Sequence, residues 1–160
     1  MKKFFLLAAI AVLPFFFASC EKNGVPHTGD ETGTLYGVWY LKTKTEATGS
    51  DTKTVDYSGC HFYLALSEFP FPHAIGKKGS FTELDLKDVD VDAVMFSYNE
   101  NLKKISFNKQ IWLSDDLLKY NMLLSGTFDI VELSDKVLAL QQENGLLGVT
   151  TTYTYERMKK

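Results

Sequence analysis

"TLYGVWYL", the run from Thr34 to Leu41, decides how the rest of the chain is interpreted. It places a Gly-x-Trp motif inside a short aromatic segment that directly follows a polar stretch containing glycine. Valine, tyrosine and tryptophan favour β-strands, so the run predicts the first strand of the folded domain. Three roles for its aromatic side chains are open at this point: ordinary core packing, the wall of a ligand-binding barrel, or a surface on which a carbohydrate stacks.

Residues 1–19 have the pattern of a lipoprotein signal peptide. Two lysines precede a continuous apolar run from Phe4 to Phe17, and that run is too short to span a bilayer as a helix. The following "FASC" resembles the bacterial lipobox, in which the cysteine, here Cys20, is lipidated and becomes the mature N-terminus. The alternative is a plain signal peptide that is cut near Ala18.

Lipidation of Cys20 would attach the mature protein to a membrane surface. The lipobox resemblance implies a diacylglyceryl group and an N-acyl chain, and several chains anchor a protein stably where one alone does not. Residues 20–33 are polar and contain glycine, which predicts a tether between the lipid and a folded domain at residues 34–160. The expected location is the outer membrane, on its periplasmic face or at the cell surface.

The acidic charge balance excludes several classes of partner. Once the two lysines of the leader are removed, 15 basic residues stand against 20 acidic ones, a net charge of about −5. Nucleic-acid binding needs a basic face, and so does polybasic attachment to lipid head groups. We therefore expect no nucleic-acid partner and expect the N-terminal lipid to make the membrane contact. The sequence leaves protein partners undetermined.

Alternation of polar and apolar residues dominates the domain and predicts an all-β fold. In "CHFYLALS", residues 60–67, apolar side chains alternate with more polar ones, as they do along a strand. Similar runs recur along the chain, and turn sequences such as Ser125-Gly126 and Ser134-Asp135 separate them. Closing such a series into a barrel removes its exposed edges. The prediction is an antiparallel, up-and-down, eight-stranded barrel.

The segment from Phe69 to Asp92 departs from this alternation. Its "FPFPHAIGKKGS" contains two prolines, two glycines and two lysines, and these disfavour a strand. We expect residues 69–92 to form a long loop that acts as a lid over one end of the barrel, with Phe69 and Phe71 capping the opening. A surface loop held down by the same two phenylalanines is the alternative.

Patterns for catalysis and for metal binding are weak in this chain. Asp88 to Asp92 begins like a calcium loop, but alanine follows where the loop needs glycine, so a solvated acidic strand face is favoured. His61 and His73 are twelve residues apart, a spacing that specifies a zinc site poorly even with Cys60. Nucleophile motifs such as Gly-x-Ser-x-Gly are absent. We expect no enzymatic activity, no cofactor and no bound metal, and we expect Cys60 to be a buried, inert thiol.

Aromatic residues are the main candidates for ligand contacts. In a small barrel such side chains either fill the interior or line a pocket for an apolar ligand, and their spacing does not separate the two arrangements. The candidate ligand-binding residues are Phe62, Phe96 and Trp112 on predicted strands, together with Phe69 and Phe71 in the loop.

The two ends of the domain resemble the lipocalin-like lipoproteins of Gram-negative bacteria. At the start the resemblance lies in the lipidated N-terminus, the tether and "LYGVWYLK"; at the end, "GTFDIVELSDKVLALQQ" and "TTYTYERMKK" are similar to the family's last three strands. In lipocalins the tryptophan of Gly-x-Trp lies at the closed end of the barrel, and an arginine of the last strand packs across its ring. The resemblance implies these barrel-closing roles for Gly37, Trp39 and Arg157, the only arginine of the chain. The alternative for Arg157 is an ordinary surface cation.

The resemblance also implies a function, namely non-covalent binding of a small apolar or amphipathic ligand inside a lipid-anchored barrel. The mouth would lie opposite Trp39, near the loop from Phe69 to Ser80. The alternative function is that of a filled barrel serving as a non-enzymatic structural or interaction module of the cell envelope.

Overall fold

The computed structural model describes residues 34–68, 71–81, 94–114 and 121–158. The predicted signal peptide, Cys20, the tether, Phe69 and the motif from Asp88 to Asp92 lie outside these ranges. Within them the backbone consists of strands and turns apart from one short 3₁₀ turn, Ser58–Cys60, as predicted for an all-β domain.

Nine antiparallel strands make up the described part of the chain. In order, β1 to β9 are Gly37–Thr48, Asp51–Asp56, Phe62–Ser67, His73–Lys78, Val94–Asn99, Lys104–Ser114, Asn121–Leu133, Val137–Asn144 and Val149–Arg157. From β3 onward each strand pairs with the next, and β9 returns to pair with β1 from Trp39 to Thr48. This last pairing closes eight strands into a barrel and confirms the predicted architecture.

The strand β2 is an addition to the eight-stranded barrel. It pairs with the second half of β1, from Thr43 to Thr48, whereas β3 pairs with the first half, from Gly37 to Tyr40. Both strands therefore lie along the same edge of β1, one after the other. The segment from Tyr57 to His61, which includes the 3₁₀ turn, connects them.

Strand directions define two ends of the barrel. One end, here called the Trp39 end, contains the start of β1, the turns before β4, β6 and β8, and the end of β9. This arrangement follows from the register, which pairs Gly37 with Leu66 and Trp39 with Arg157. The opposite end, here called the far end, contains the β1–β2 hairpin and the β8–β9 turn at residues 145–148.

Alternate side chains point into the barrel and form one apolar core. Those that are almost completely buried include Trp39, Leu41, Phe62, Leu64, Leu66, Phe96, Phe107, Phe128, Leu138 and Tyr155. Each large side chain buried in this way favours folding by about 1.5–3 kcal/mol. A smaller apolar cluster lies on the outer face of β1, β3 and β4, where Val38, Tyr63 and Ile75 pack with Phe81.

Two expectations about residues 69–92 are wrong. His73–Lys78 forms the strand β4 instead of part of a loop, because it pairs with all of β3, from Phe62 with Lys78 to Ser67 with His73. Such pairing outweighs a weak intrinsic preference for the strand conformation. The turn that carries Phe71 lies immediately before β4 and thus at the Trp39 end, not at a mouth opposite Trp39.

The turn predicted at Ser125-Gly126 is also wrong. β7 runs through both residues without ending. Gly126 has a φ of 77°, which favours glycine, and the register between β6 and β7 shifts between Phe107 and Ile111. The glycine therefore belongs to a bulge within a long strand pair rather than to a turn between two strands.

Candidate functional site

Trp39 and Arg157 contact each other at the end of the barrel where the resemblance places them. The guanidinium carbon of Arg157 lies 4.0 Å from the centre of the Trp39 ring. Trp39 is 0% exposed and Arg157 4% exposed, so Arg157 is not the surface cation of the alternative interpretation. A cation on an indole ring that is shielded from water contributes roughly 2 kcal/mol.

The guanidinium of Arg157 also donates hydrogen bonds to three backbone carbonyls. Its Nε donates to Asp135 O at 3.0 Å, its Nη1 to Tyr36 O at 3.0 Å, and its Nη2 to Thr34 O. The carbonyls belong to the residues before β1 and to the β7–β8 turn, so one side chain links two separate segments at this end. The compact ammonium of a lysine does not match this planar set of donors.

Gly37 has a backbone conformation that other residues rarely adopt. Its φ is 145°, and it is buried against the barrel wall, opposite Leu66 of β3. A side chain at this position would strain the backbone, which explains the glycine of Gly-x-Trp. Two residues later Trp39 points into the barrel, and its indole Nε1 donates a hydrogen bond to Leu35 O at 3.0 Å.

A row of four aromatic rings crosses the interior from β5 to β9. The ring centres are 6.2 Å apart for Phe96 and Phe107, 6.0 Å for Phe107 and Phe128, and 6.2 Å for Phe128 and Tyr153. All four side chains are buried, and tilted or edge-on contacts of this kind favour packing. We call these four residues the aromatic floor, because together with the buried residues nearer Trp39 they fill that half of the barrel.

A bulge in β1 turns a charged residue into the interior. Lys42 is an extra residue at which the register with β9 shifts. Strict alternation from Trp39 would turn Thr43 inward, but after the bulge Lys44 lies directly opposite the inward-facing Tyr153. Lys44 Nζ accordingly lies 5.9 Å from the centre of the Tyr153 ring.

Lys44 forms an ion pair with Glu46 on the same side of the strand. The distance from Nζ to Oε1 is 2.7 Å, and the side chains are 21% and 42% exposed. Glu46 lies opposite Thr151 of β9, and Thr151 in turn lies opposite Gln142 of β8. We call these four residues the polar wall, because they share the inner side of three neighbouring strands.

Exposure of the inward side chains increases from the Trp39 end toward the far end. On β9 Tyr155 and Tyr153 are buried, whereas Thr151 is half-buried. On β8 Leu140 is buried and Gln142 is half-buried. Solvent therefore reaches the polar wall and does not reach the aromatic floor, so the interior has a filled apolar part and a polar, solvent-accessible part.

Tyr153 lies at the boundary between these two parts. Its hydroxyl donates a hydrogen bond to Leu123 O at 3.3 Å. Burial, with smaller contributions from Tyr57 and Glu46, raises the pKa of Tyr153 to about 12. The Tyr153 hydroxyl is neutral at physiological pH, and the Tyr153 ring lies beside the Lys44 ammonium.

Gln142 stabilises the same region by binding β7 where its register with β6 shifts. Its Nε2 donates to Ser125 O at 2.9 Å and to Thr127 O at 3.1 Å. A side chain at Gly126 would lie 3.6 Å from that nitrogen. That distance is an ordinary van der Waals contact, so the φ of 77° rather than lack of space favours glycine at this position.

The residues predicted from the sequence to bind a ligand lie in different environments in the structure. Phe62 and Phe96 point inward and are buried in the filled part. Trp112 does not face the interior: it follows the inward-facing Ile111 on β6 and is 62% exposed. Phe71 is exposed at the Trp39 end, and its ring contacts that of His73 with the ring centres 5.6 Å apart. Phe69 lies outside the described residues.

The residues considered for a metal site are not brought together. His61 precedes β3 and His73 begins β4, so the two histidines lie at opposite ends of this strand pair. Cys60 is buried at the end of the 3₁₀ turn, as expected for an inert thiol. In the part of the chain that the structure describes, three or more His, Cys, Asp or Glu residues do not cluster in a way that would hold a metal ion. Among the same residues, no helix has the length and apolar character needed to cross a bilayer.

The polar wall is the feature that sequence reasoning missed. In the run "LKTKTEAT", residues 41–48, strict alternation from Leu41 would turn Thr43, Thr45 and Ala47 inward and would leave the charged residues outside. The position of the bulge at Lys42 decides which side faces inward, and the sequence carries no clear signal for it.

Comparison with protein-family models, curated sequences and solved structures found no match to this chain. The likeness to lipocalin-like lipoproteins is thus a resemblance carried by sequence motifs, and the closed barrel is the part that the structure shows. Functional conclusions rest on the geometry of the barrel.

Proposed function

We propose that this protein is a lipid-anchored component of the cell envelope whose barrel binds a small amphipathic ligand without catalysing a reaction. The observation that carries the proposal is the division of the interior into a buried aromatic floor and a solvent-accessible polar wall. Ligand sites are typically apolar concavities with a few polar groups that fix orientation. The two parts of this interior provide both elements.

The polar wall favours an amphipathic ligand over a purely apolar one. An apolar ligand would displace water from Lys44 and Glu46 without replacing its hydrogen bonds, which is costly. A ligand with a polar or charged group would instead pair with this ion pair and with the Tyr153 hydroxyl. Its apolar portion would then pack toward the aromatic floor.

A thermal-shift screen tests the proposal. Fatty acids, bile acids, haem and glycans are added to the protein, because a ligand that binds the native state raises its melting temperature. We expect amphipathic compounds to raise it and expect Lys44→Met to weaken that response. Trp112→Ala, on the outer face of β6, is the matched control and should leave the response unchanged. A response that is the same in the Lys44→Met variant would contradict binding at the polar wall.

The filled half of the barrel supports a second candidate, a structural or interaction module. Core side chains from Trp39 to Phe128 are almost completely buried in this part of the interior. If no compound of the screen changes the melting temperature, this candidate replaces ligand binding. Protein partners would then be sought on the outer surface of the barrel.

Attachment through Cys20 is tested separately from ligand binding. The proposal predicts that the wild-type protein partitions into the detergent phase and fractionates with outer membranes. Cys20→Ser should move it into the aqueous phase, because the anchor depends on lipid at this residue. A Cys20→Ser variant that stays in the membrane fraction would contradict the lipid anchor and would leave the barrel proposal unaffected.

A further inference from the structure

A pocket of about 360 Å³ lies where β1 and β9 meet the connection between β2 and β3. The residues that line it are Tyr40, Leu41 and Lys42 of β1, Glu156 and Arg157 of β9, Ser58 and His61 of the connection, and Met158. Tyr40 and Glu156 lie opposite each other in the β1–β9 pair, on the side of the sheet that faces away from Trp39 and Arg157. The pocket is therefore distinct from the polar wall.

The pocket exists because the connection between β2 and β3 has more residues than the part of β1 beside which it runs. The register pairs Asp56 with Thr43 and Tyr63 with Tyr40. Six residues, 57–62, thus span a distance that β1 covers with two, 41 and 42. The surplus residues leave the sheet and form one side of a concavity whose other side is β1 and β9.

Hydrogen bonds hold this connection in one shape. Tyr57 N–H donates to Lys42 O at 2.7 Å, and Gly79 N–H donates to His61 O at 2.9 Å. Ser58 N–H donates to the Asp56 carboxylate at 2.8 Å, and this bond keeps the pKa of Asp56 below its usual value. The connection is therefore preorganised.

His61 is held in a conformation that is unfavourable for a residue with a side chain. Its φ is 51° and its ψ is 38°, in the left-handed region. Backbone strain of this kind persists where the surrounding structure enforces it, and it is common at binding sites. His61, held in this conformation, is one of the residues that line the pocket.

The walls of the pocket combine two opposite charges with an apolar side. Lys42 Nζ lies 2.9 Å from Glu156 Oε2, and the two side chains are 37% and 46% exposed. A solvent-exposed pair of this kind is weak, so a ligand can separate it at little cost. Tyr40 and Met158 form the apolar side and pack against the outer apolar cluster.

We infer that this outer pocket binds a small zwitterion with an apolar side group, of the α-amino-acid type. The ligand carboxylate pairs with Lys42, while the ligand ammonium pairs with Glu156. Each charge of the protein exchanges one partner for another, so that none is left unpaired. The side group of the ligand packs on Tyr40 and Met158. This inference does not depend on ligand binding inside the barrel.

The test uses the full chain as the isotope-labelled Cys20→Ser variant, which lacks the predicted lipid, and follows amide chemical shifts by NMR. L-Phenylalanine is the probe, and we expect saturable shifts at residues 58–61 and at Met158. N-acetyl-L-phenylalanine lacks the ammonium and phenethylamine lacks the carboxylate, so both should bind at least about tenfold more weakly. Shifts confined to Gln142 and Tyr153 would locate binding inside the barrel and would overturn the inference.

Variants separate the role of the charges from effects on folding. Lys42→Met and Glu156→Gln should each raise the dissociation constant for L-phenylalanine about tenfold. Lys104→Met is the matched control, because Lys104 forms an exposed ion pair with Asp129 on β6 and β7, away from the pocket. No shift with L-phenylalanine, or equal affinity in the Lys42→Met variant, would overturn the inference.

Discussion

The guanidinium carbon of Arg157 lies 4.0 Å from the centre of the Trp39 indole, although 117 residues separate the two in the sequence. The contact joins the first and last strands of the barrel, which also pair directly through their backbones. Because the arginine additionally binds carbonyls before β1 and in the β7–β8 turn, it stabilises the closure of the sheet at several points.

The Arg157→Lys variant should be less stable than the wild type. Lysine keeps the charge but loses the planar stacking and most of the three carbonyl hydrogen bonds, a loss of about 2 kcal/mol. For a domain of this size the melting temperature should fall by roughly 5–10 °C. Circular dichroism during heating measures it, and Lys109→Ala on the exposed part of β6 serves as the control with little expected change. An unchanged melting temperature in Arg157→Lys would show that the contact adds nothing to stability.

The Gly37→Ala variant should also be destabilised, for a reason located in the backbone. At a φ of 145° an alanine side chain strains the chain, at a cost of about 1–3 kcal/mol. Urea unfolding measures the free energy of unfolding directly. Gly145→Ala is the matched control, because a methyl group there meets no atom within 4 Å. Equal losses in the two variants would remove the special role assigned to Gly37.

The closed barrel was predicted from the alternation of residues along the chain, whereas the Trp39–Arg157 contact was implied by the resemblance to lipocalin-like lipoproteins. Strand alternation follows from the two-residue period of side chains along a strand. The single arginine of the chain supports that implication, because a planar guanidinium stacks on an indole and donates several hydrogen bonds, which a lysine does not match. The strained backbone of Gly37 was seen only in the structure.

The polar wall and the path of β4 were not accessible because they depend on pairing with distant strands. Lys44 faces inward only because the register with β9 shifts at Lys42. His73–Lys78 is poor strand material and becomes a strand only through its six pairs with β3. Trp112 lies on a true strand, but its outward orientation is fixed by the neighbouring Ile111. Sequence periodicity alone does not establish any of these three points.

The stability of the protein should decrease at alkaline pH in a way that depends on Tyr153. Its pKa is raised from 10.0 to about 12 by folding, so between these values the unfolded chain releases the proton while the folded chain keeps it. The raised pKa of Tyr153 contributes to the free energy of unfolding in full below pH 10. This contribution is lost as the pH rises through 12, at up to about 1.4 kcal/mol for each pH unit. Tyr153→Phe should therefore show a shallower loss of stability than the wild type.

Urea unfolding of both proteins at a series of pH values measures this difference. Between pH 7 and 9 the two curves of unfolding free energy against pH should be parallel, which serves as the internal control. Above pH 10 they should converge or cross. Parallel curves over the whole range would contradict the raised pKa of Tyr153.

The thiol of Cys60 should be protected from chemical modification in the folded protein. Cys60 is buried at the end of the 3₁₀ turn, and a thiol reagent reacts only with an accessible thiolate. In the Cys20→Ser chain, which leaves Cys60 as the only cysteine, labelling should be at least about a thousandfold slower without urea than in urea. The rate reports how often the segment from Tyr57 to His61 opens, since this segment covers the thiol. Rapid labelling of the native protein would show that the connection between β2 and β3 is not held closed by the hydrogen bonds of Tyr57 and His61.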